Sequence, residues 1–574
     1  MPQGDTHLLK KLLLTLFVLI ALLAITAFFT LGRPTPPDVQ VFRNGQVLTM
    51  DGQNRIASAI AVREDRIVAV GDDSDMAPYL EEAEVHDLGG KTLLPGFIDA
   101  HGHFPGTGVA AVTVDLNSPP IGTIRSIDDI QQALRTFAAG REPGQWVLAL
   151  GYDDTLIAEH RHPTREELDA VSTEHPIFVT HVSGHMGVAN SRALELAGID
   201  RDSPNPEGGV IVHDRDSGEL TGLLEETAMA PVQALGMDFS VGEILTMLDT
   251  AIADYASKGV TTAQSGGVDK GVLEGLQLAS RIGYIPFRLE IWPFYKMIGP
   301  QVLSGEIDVA AMESEWFHAD TIKIVSDGSI QGYTGYLSHP YHTPFREDEN
   351  YRGYPTFERE KLADIVAEIH RAGIQMAIHA NGDGAIDDVI YAFEKAQQAH
   401  PVEDPRLILI HSQMARDDQL DAMKRLGITP SFFSAHTYYW GDRHRDIFIG
   451  PERAMHISPT RSAGERGLRY SVHLDSPVVP MDPILLLWST VNRVSTSGQV
   501  IGADERVPAM DALRAMTIDA AWQIFREDEL GSLEVGKYAD LVVLDGDPLG
   551  DPADLRDLQV VRTVVGGVTI YQRH

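Results

Sequence analysis

Hydrophobic and polar positions change rhythm along the chain. From Val39 onward they alternate in short runs: Val39-Gln40-Val41-Phe42, then Asn44-Gly45, a strong hairpin signal, then Val47-Leu48. Ile60-Ala61-Val62 and Ile67-Val68-Ala69-Val70 flank a second turn at Glu64-Asp65. Residues 541–544 and 561–571, around Gly566-Gly567, have the same texture. This predicts that both chain ends pair in one small β-domain. The long middle reads differently. An apolar run leads into His101, and further short apolar strands fall at 259–263, 287–291, 322–325, 375–379, 407–411, 429–433 and 470–475. Residues 360–370 and 417–425 lie between strands with helical spacing. Eight strand–helix units predict a (β/α)8 barrel, whose C-terminal strand ends carry the active site. The stretch 104–258 is too long for a loop and reads as a subdomain inserted over the barrel mouth, where substrate selection would lie.

A different pattern precedes all this. Lys10 and Lys11 are followed by residues 12–31, uncharged and mostly apolar. About 20 such residues span a hydrocarbon core, and lysines on the near side keep that end cytoplasmic. The reading is an N-terminal transmembrane helix with the bulk of the chain exported; a cleaved signal peptide, with small residues at Ala24, Thr26 and Ala27, is the rival. Arg33-Pro34-Thr35-Pro36-Pro37 then reads as a stiff spacer.

Composition narrows the chemistry. Against 46 Lys+Arg stand 82 Asp+Glu, a net charge of −36. That argues against nucleic acid and anionic lipid as main partners. There is no cysteine, so any metal must sit on His, Asp, Glu or modified Lys. His101-Gly102-His103 places two imidazoles on one strand face, a weak signal alone. His379, His411 and Asp475 also end strands, and four histidines with one aspartate make an all-N/O site suited to Zn2+ or a similar ion. Lys323 lies among apolar neighbours. Burial lowers a lysine pKa, and a neutral amine can add CO2 to give a carbamate able to bridge two cations. Pairing with Asp327, or extension to solvent, are the alternatives. Asp475 is open to two catalytic roles, metal ligand and general base, and to a third, capping the loop at Ser476-Pro477. There is no phosphate-binding glycine loop and no dinucleotide fingerprint.

In order, these motifs are Pro95-Gly96-Phe97-Ile98-Asp99-Ala100-His101-Gly102-His103, Lys323 ahead of Asp327-Gly328-Ser329, His379-Ala380-Asn381-Gly382-Asp383, His411-Ser412-Gln413 and Asp475-Ser476-Pro477. With Gly184-His185 before Asn190-Ser191, residues 221–226 and the tail 531–545, the chain resembles the amidohydrolase superfamily, in its amidohydrolase-3 or YtcJ-like branch. The resemblance covers nearly everything after about residue 38.

It implies an α/β fold, a distorted (β/α)8 TIM barrel with a β-sandwich formed by both chain ends. The layout is then 1–37 for cytoplasmic tip, anchor and spacer, 38–91 and 531–574 for the two sandwich parts, and 92–530 for the barrel with its insertion at about 104–258. It implies that His101, His103 and Asp475 hold one divalent ion and His379 and His411 a second, with carboxylated Lys323 bridging. One or two ions per chain, zinc first among them, remain open. The implied reaction is hydrolysis of a C–N bond (amide, N-acyl or related) by a metal-activated hydroxide, Asp475 shuttling the proton. His185 resembles a family position near the pocket and is a substrate-contact candidate, with a structural histidine as the alternative. Glu226 lines the mouth or ends a helix. His473 departs from the small residue many members carry before the final Asp. Tyrosines 333, 336 and 341 and the Tyr438-Tyr439-Trp440 run are read either as pocket walls or as packing. Rival functions are hydrolysis of an ester or lactone, deamination, and a catalytically inactive binding protein. The expected partners are a small amide-type molecule and the membrane, with no nucleic acid and an oligomer left open. The expected location is membrane-anchored and extracytoplasmic, periplasmic in a Gram-negative bacterium.

Overall fold

The computed structural model describes residues 32–573. Both chain ends build two sheets. One runs Arg66–Gly71, Ala59–Arg63, Val39–Arg43, Glu84–Asp87; the other runs Val568–Gln572, Val560–Val565, Leu541–Leu544, Thr92–Pro95, Gln46–Leu48, Ile56–Ala57. The join between the ends is antiparallel, with Leu541 opposite Pro95 and Leu544 opposite Thr92. Alternation supplies the core: Phe42, Val47, Ile60, Leu93, Leu541 and Val564 are buried in one cluster.

Thr92–Pro95 runs straight into the first strand of the catalytic ring, β1 (Phe97–Ile98). The others are β2 (Val260–Val268), β3 (Arg288–Pro293), β4 (Thr321–Val325), β5 (Gln375–Ala380), β6 (Leu407–His411), β7 (Ile428–Phe432) and β8 (Ser471–Val472). β1 to β3 pair in parallel, and so do β4 to β8. A bridge between Phe294 and Lys323 links the two ladders on one side. On the other, the Asp475 N–H donates to the His101 carbonyl at 3.1 Å and the His103 N–H to that of Ser476 at 2.8 Å. β4, β5 and β6 are near-continuous apolar runs because both faces are covered. Arg359–Arg371 shows the outer layer: Leu362, Ile365, Val366 and Ile369 recur at helical spacing and are buried.

Between β1 and β2 the chain forms a further sheet, in the order Gly209–His213, Leu220–Glu226, Met186–Ala189, Ile177–His181, Val147–Tyr152, Val114–Asp115. It brings its own core, including Leu116, Ile130, Tyr152 and Val179.

The expected membrane anchor is corrected. Among the described residues no helix is long and apolar enough to cross a membrane. The longest, Val241–Ser257 and Asp383–Ala399, have 17 residues each. At 1.5 Å per residue that is about 26 Å, short of the roughly 30 Å hydrocarbon core. Residues 12–31, on which the anchor was read, lie outside the described residues. The membrane partner and the extracytoplasmic, periplasmic location rested on that helix and go with it.

A stack of alternating cations and rings ties the spacer, the ring and the sheets together. Arg33 lies 3.9 Å over Trp316, Arg288 packs at 4.6 Å on Trp316 and 3.7 Å on Tyr538, and Arg66 covers Tyr538 at 3.5 Å. Arg288 is itself buried and paired with Asp540 at 2.7 Å. Arg33 also donates to the Ser280 carbonyl at 2.7 Å. Each such contact is worth about 0.5–2 kcal/mol, more where desolvated.

Deeper in the ring, Glu290 of β3 is enclosed. Burial pushes its carboxyl from 4.5 up to about 7, against the pull of His318 and of Arg526, 3.6 Å away. A raised acid favours the fold below its unfolded pKa and loses that advantage as the pH climbs. Stability should therefore fall by about 3 kcal/mol between pH 4.5 and 7 on account of this group. Glu290→Gln should flatten that part of the profile, read from urea midpoints at half-unit pH steps. An unchanged slope would refute the assignment.

Candidate metal centre

The C-terminal ends of the ring strands converge on one cavity of about 630 Å³, lined by His101, His103, Lys323, His379, His411 and Asp475 together with His185. β1 delivers His101 and His103, β4 carries Lys323, and β5 and β6 supply His379 and His411. Asp475 follows β8. Backbone at His411, Ser412 and Asp475 turns left-handed, with φ of 67°, 44° and 57°. Such conformations cost about 1–3 kcal/mol each and cluster at functional sites.

Hydrogen bonds fix which nitrogen faces the centre. His101 Nδ1 lies 3.1 Å from Gln264 Oε1, which also accepts from the Gly102 N–H at 2.8 Å. A carbonyl oxygen only accepts, so Nδ1 carries the proton and Nε2 a lone pair. That nitrogen faces Lys323 Nζ at 3.0 Å and Asp475 Oδ1 at 3.4 Å, and Trp292 stacks on the ring at 5.4 Å. His103 Nε2 approaches Asp475 Oδ1 to 3.1 Å. Asp475 Oδ1 is buried between these two imidazoles yet accepts no well-formed hydrogen bond. Ligands about 2.0–2.2 Å from a shared ion stand a little over 3 Å apart. The donor set and the orphaned carboxylate oxygen fit a divalent cation.

The second pair is wired similarly. His379 Nε2 donates to the Gly328 carbonyl at 3.1 Å, leaving Nδ1 facing His411 Nε2 at 3.1 Å. His411 Nδ1 sits 3.0 Å from His473 Nε2, and His473 Nδ1 2.8 Å from Ser431 Oγ. Without an ion, protons can run from Ser431 through His473 and His411 to His379. Reversed, with His411 Nδ1–H donating to His473, two lone pairs face each other, an arrangement that a cation relieves. His473 is thus placed to hold His411 in the tautomer that a metal ligand needs. His473→Phe should weaken ion retention about 10- to 100-fold, read by chelator competition; undiminished affinity would remove His473 from this role.

Charge follows from the enclosure. Burial first, then neighbouring cations, hold His101, His379 and His411 well below the ordinary imidazole value, in the neutral form that ligates. Burial lowers Lys323 from 10.5 to about 7, with Asp475 pulling the other way. Burial would raise Asp475, but His101, His103 and His411 outweigh it and hold the carboxylate well below its usual range. His185 pairs through Nδ1 with Glu226 at 3.0 Å; burial opposes its charge, and Glu226 overcomes that and raises its pKa.

Two supporting residues were missed in the sequence, and a third, Asp327, stood there in a motif and as a possible partner of Lys323, without the role it has here. Gln264 and Trp292 lie in strands that also carry Thr261, Thr262, Arg288 and Glu290, so no break in the pattern marks them. Asp327 accepts N–H bonds from Asn381, Gly382 and Tyr336 at 2.8–2.9 Å and stands 3.4 Å from His379 Nε2. The tyrosines after β4 do not line the cavity: Tyr333 packs on Tyr341 and Phe345 at 4.9 and 4.5 Å. A second group able to bind metal, Asp153, Asp154 and His181, lies in the insertion. There Arg443 already neutralises Asp153 at 2.5 Å, so the cavity centre is the better cation site.

Parallel strands that converge imidazoles, a carboxylate and an enclosed lysine on one cavity define a metal-dependent hydrolase. Comparison with known proteins agrees. The model of the amidohydrolase family (Amidohydro_3) matches residues 84–571, and the chain belongs to that family. An N-substituted formamide deformylase from Arthrobacter pascens is 32% identical over 546 residues, 92% of this chain and 98% of the relative. The putative amidohydrolase YtcJ of Bacillus subtilis is 27% identical over 549 residues, 93% and 99% of the two chains. An uncharacterized metal-dependent hydrolase from Pyrococcus horikoshii superposes with a TM-score of 0.70 at 25% identity, covering 90% of this chain and 99% of that one. The protein is therefore an enzyme, an amidohydrolase acting on carbon–nitrogen bonds.

Proposed function

We propose that the enzyme hydrolyses a small N-acyl compound, with N-substituted formamides the first class to test. The observation that carries this reading is Asp475 Oδ1, buried between two imidazole nitrogens without a proton donor of good geometry. His101, His103 and Asp475 would hold one ion and His379 and His411 another, with Lys323 as its carbamate between them. Bound there, a divalent ion of the zinc type supplies Lewis acidity and acidifies the attacking water. Asp475 accepts the water proton and delivers it to the departing nitrogen, so that the leaving group is a neutral amine. His185, whose pKa Glu226 raises against burial, would donate from Nε2 in its protonated form to the carbonyl oxygen as charge develops there. The formamide choice leans on the Arthrobacter relative, whose name carries that substrate.

The test is a panel of N-substituted formamides, acetamides and matched esters, assayed on metal-loaded and chelated enzyme. Metal-dependent amine release from formamides or acetamides supports the proposal. Release from esters alone, or amide turnover that survives full metal removal, would overturn it.

A further inference from the structure

Five of the eighteen large hydrophobic side chains that stand exposed among the described residues fall within eleven positions: Leu235, Met237, Val241, Ile244 and Leu245. Val241 is 74% exposed, Met237 47%, and Ile244 and Leu245 43% each. They occupy two consecutive helices, α1 (Ala230–Gly236) with the residue that follows it, and the first turns of α2 (Val241–Ser257). Clusters of this kind on a soluble surface mark binding sites more often than chance.

Their position ties them to the metal cavity. Met237 lines that cavity together with His101 and Asp475. The turn Gly106–Ala111 lies flush on α2: a Cβ on Gly108 would stand 1.9 Å from the Met247 carbonyl oxygen. Arg141 clamps the outer end of that turn, reaching the Val112 carbonyl at 3.2 Å and Glu243 at 3.1 Å. Ala110, another wall of the cavity, is thereby held beside the first turn of α2. Met237 and Ala110, on the cavity wall, and Val241, Ile244 and Leu245, exposed at the start of α2, are taken together as one apolar track.

The track does nothing for the fold. α2 starts on a capping box, Ser240 and Glu243 each bonding the other's backbone N–H, and buries Met247, Leu248, Ala251 and Tyr255 further along. Among the described residues the three outer side chains stand exposed. The cavity volume, about 630 Å³, suits a drug-sized molecule far larger than a formyl or acetyl group.

We propose that this track is a subsite for an extended apolar arm of the substrate, an alkyl or arylalkyl chain on the acyl or amine side. The inference rests on the amide-hydrolase reading above. The scissile group sits at the metal ligands and the arm leaves the cavity over Met237, exchanging water for Val241, Ile244 and Leu245.

The test is a homologous series of N-alkyl formamides from two to about twelve carbons, run on wild type and on the triple variant Val241→Ser, Ile244→Ser, Leu245→Ser. In the wild type kcat/KM should rise about twofold to threefold per methylene over the part that reaches the track. In the triple variant the ratio of long-chain to short-chain kcat/KM should collapse at least tenfold. An equal slope in both proteins overturns the proposal. Turnover of no amide at any length would instead defeat the amide-hydrolase reading. The subsite is then decided by binding alone, from the affinity of dodecanamide for the two proteins: at least tenfold weaker binding by the variant supports it, and equal affinity overturns it. Val241→Ser alone serves as the gentler variant if the triple one fails to fold. Light scattering closes the remaining route: a wild-type dimer that the variant turns into monomer would assign the face to a second copy of the chain and overturn the subsite.

Discussion

Asp475→Asn should lower kcat by about 10³- to 10⁴-fold with little change in KM. The substitution keeps the side chain's shape and removes its charge and basicity. Two losses combine. Oδ1 no longer draws a cation toward His101 and His103, which stand 3.4 and 3.1 Å away. The group that passes a proton from water to amine is gone as well, a step worth about 10²- to 10⁴-fold by itself. Steady-state kinetics under saturating metal separates the two: if excess zinc restored kcat, Asp475 would be a ligand only. The same variant should keep the ion at His379 and His411, which elemental analysis reads directly.

The second large effect concerns Lys323. Lys323→Ala should cut metal content from about two ions per chain to about one and lower kcat/KM at least 10²-fold, on the scale of a lost ligand-orienting interaction. The physical case is the enclosure. A lysine pulled down to about 7 is about half free amine in neutral solution, and the free amine adds CO2, forming an N–C bond and releasing one proton. The product anion would meet His101 Nε2, already 3.0 Å from Nζ. Wild-type protein prepared without bicarbonate should resemble the variant and recover when bicarbonate is supplied. Metal content indifferent to both Lys323 and bicarbonate would point to a single ion on the histidines and Asp475.

The candidate ligands stood out in the sequence as polar residues set within apolar strands or just after them. His379 and His411 close runs such as Gln375–Ala380 and Leu407–His411 whose other members are mostly buried hydrophobics. His101-Gly102-His103 follows the same logic. The pairing of the two chain ends was legible from alternation alone. What could not be read is what depends on meeting in space. Gln264 fixes the His101 tautomer from another strand, and Arg288 pairs with Asp540 far along the chain. The turn 181–185 and the Asp153-Asp154 pair were both visible as motifs, but nothing in their spacing says that His181 Nε2 meets Asp154 at 3.1 Å. For His473 the sequence leaves open a bond into the site or an ordinary polar place in the barrel interior, and its two nitrogens, set between His411 and Ser431, decide for the first. The membrane anchor failed for a different reason: an apolar run of spanning length is a statement about composition, and no described helix carries it.

The stack that begins at Arg33 also sets a direction. Ser280, Ile285 and Trp316, which receive Arg33, sit where the chain enters β3 and the strand at Phe317, the N-terminal rim of the ring. The histidines, Lys323 and Asp475 of the cavity occupy the opposite rim. Residue 32 therefore lies on the side away from the cavity, next to an arginine held over an indole. For an enzyme coupled to a solid support through a linker placed ahead of that residue, the bead lies behind the barrel. Substrate then reaches the cavity from open solution, and the immobilised enzyme should work at close to the rate of the free one.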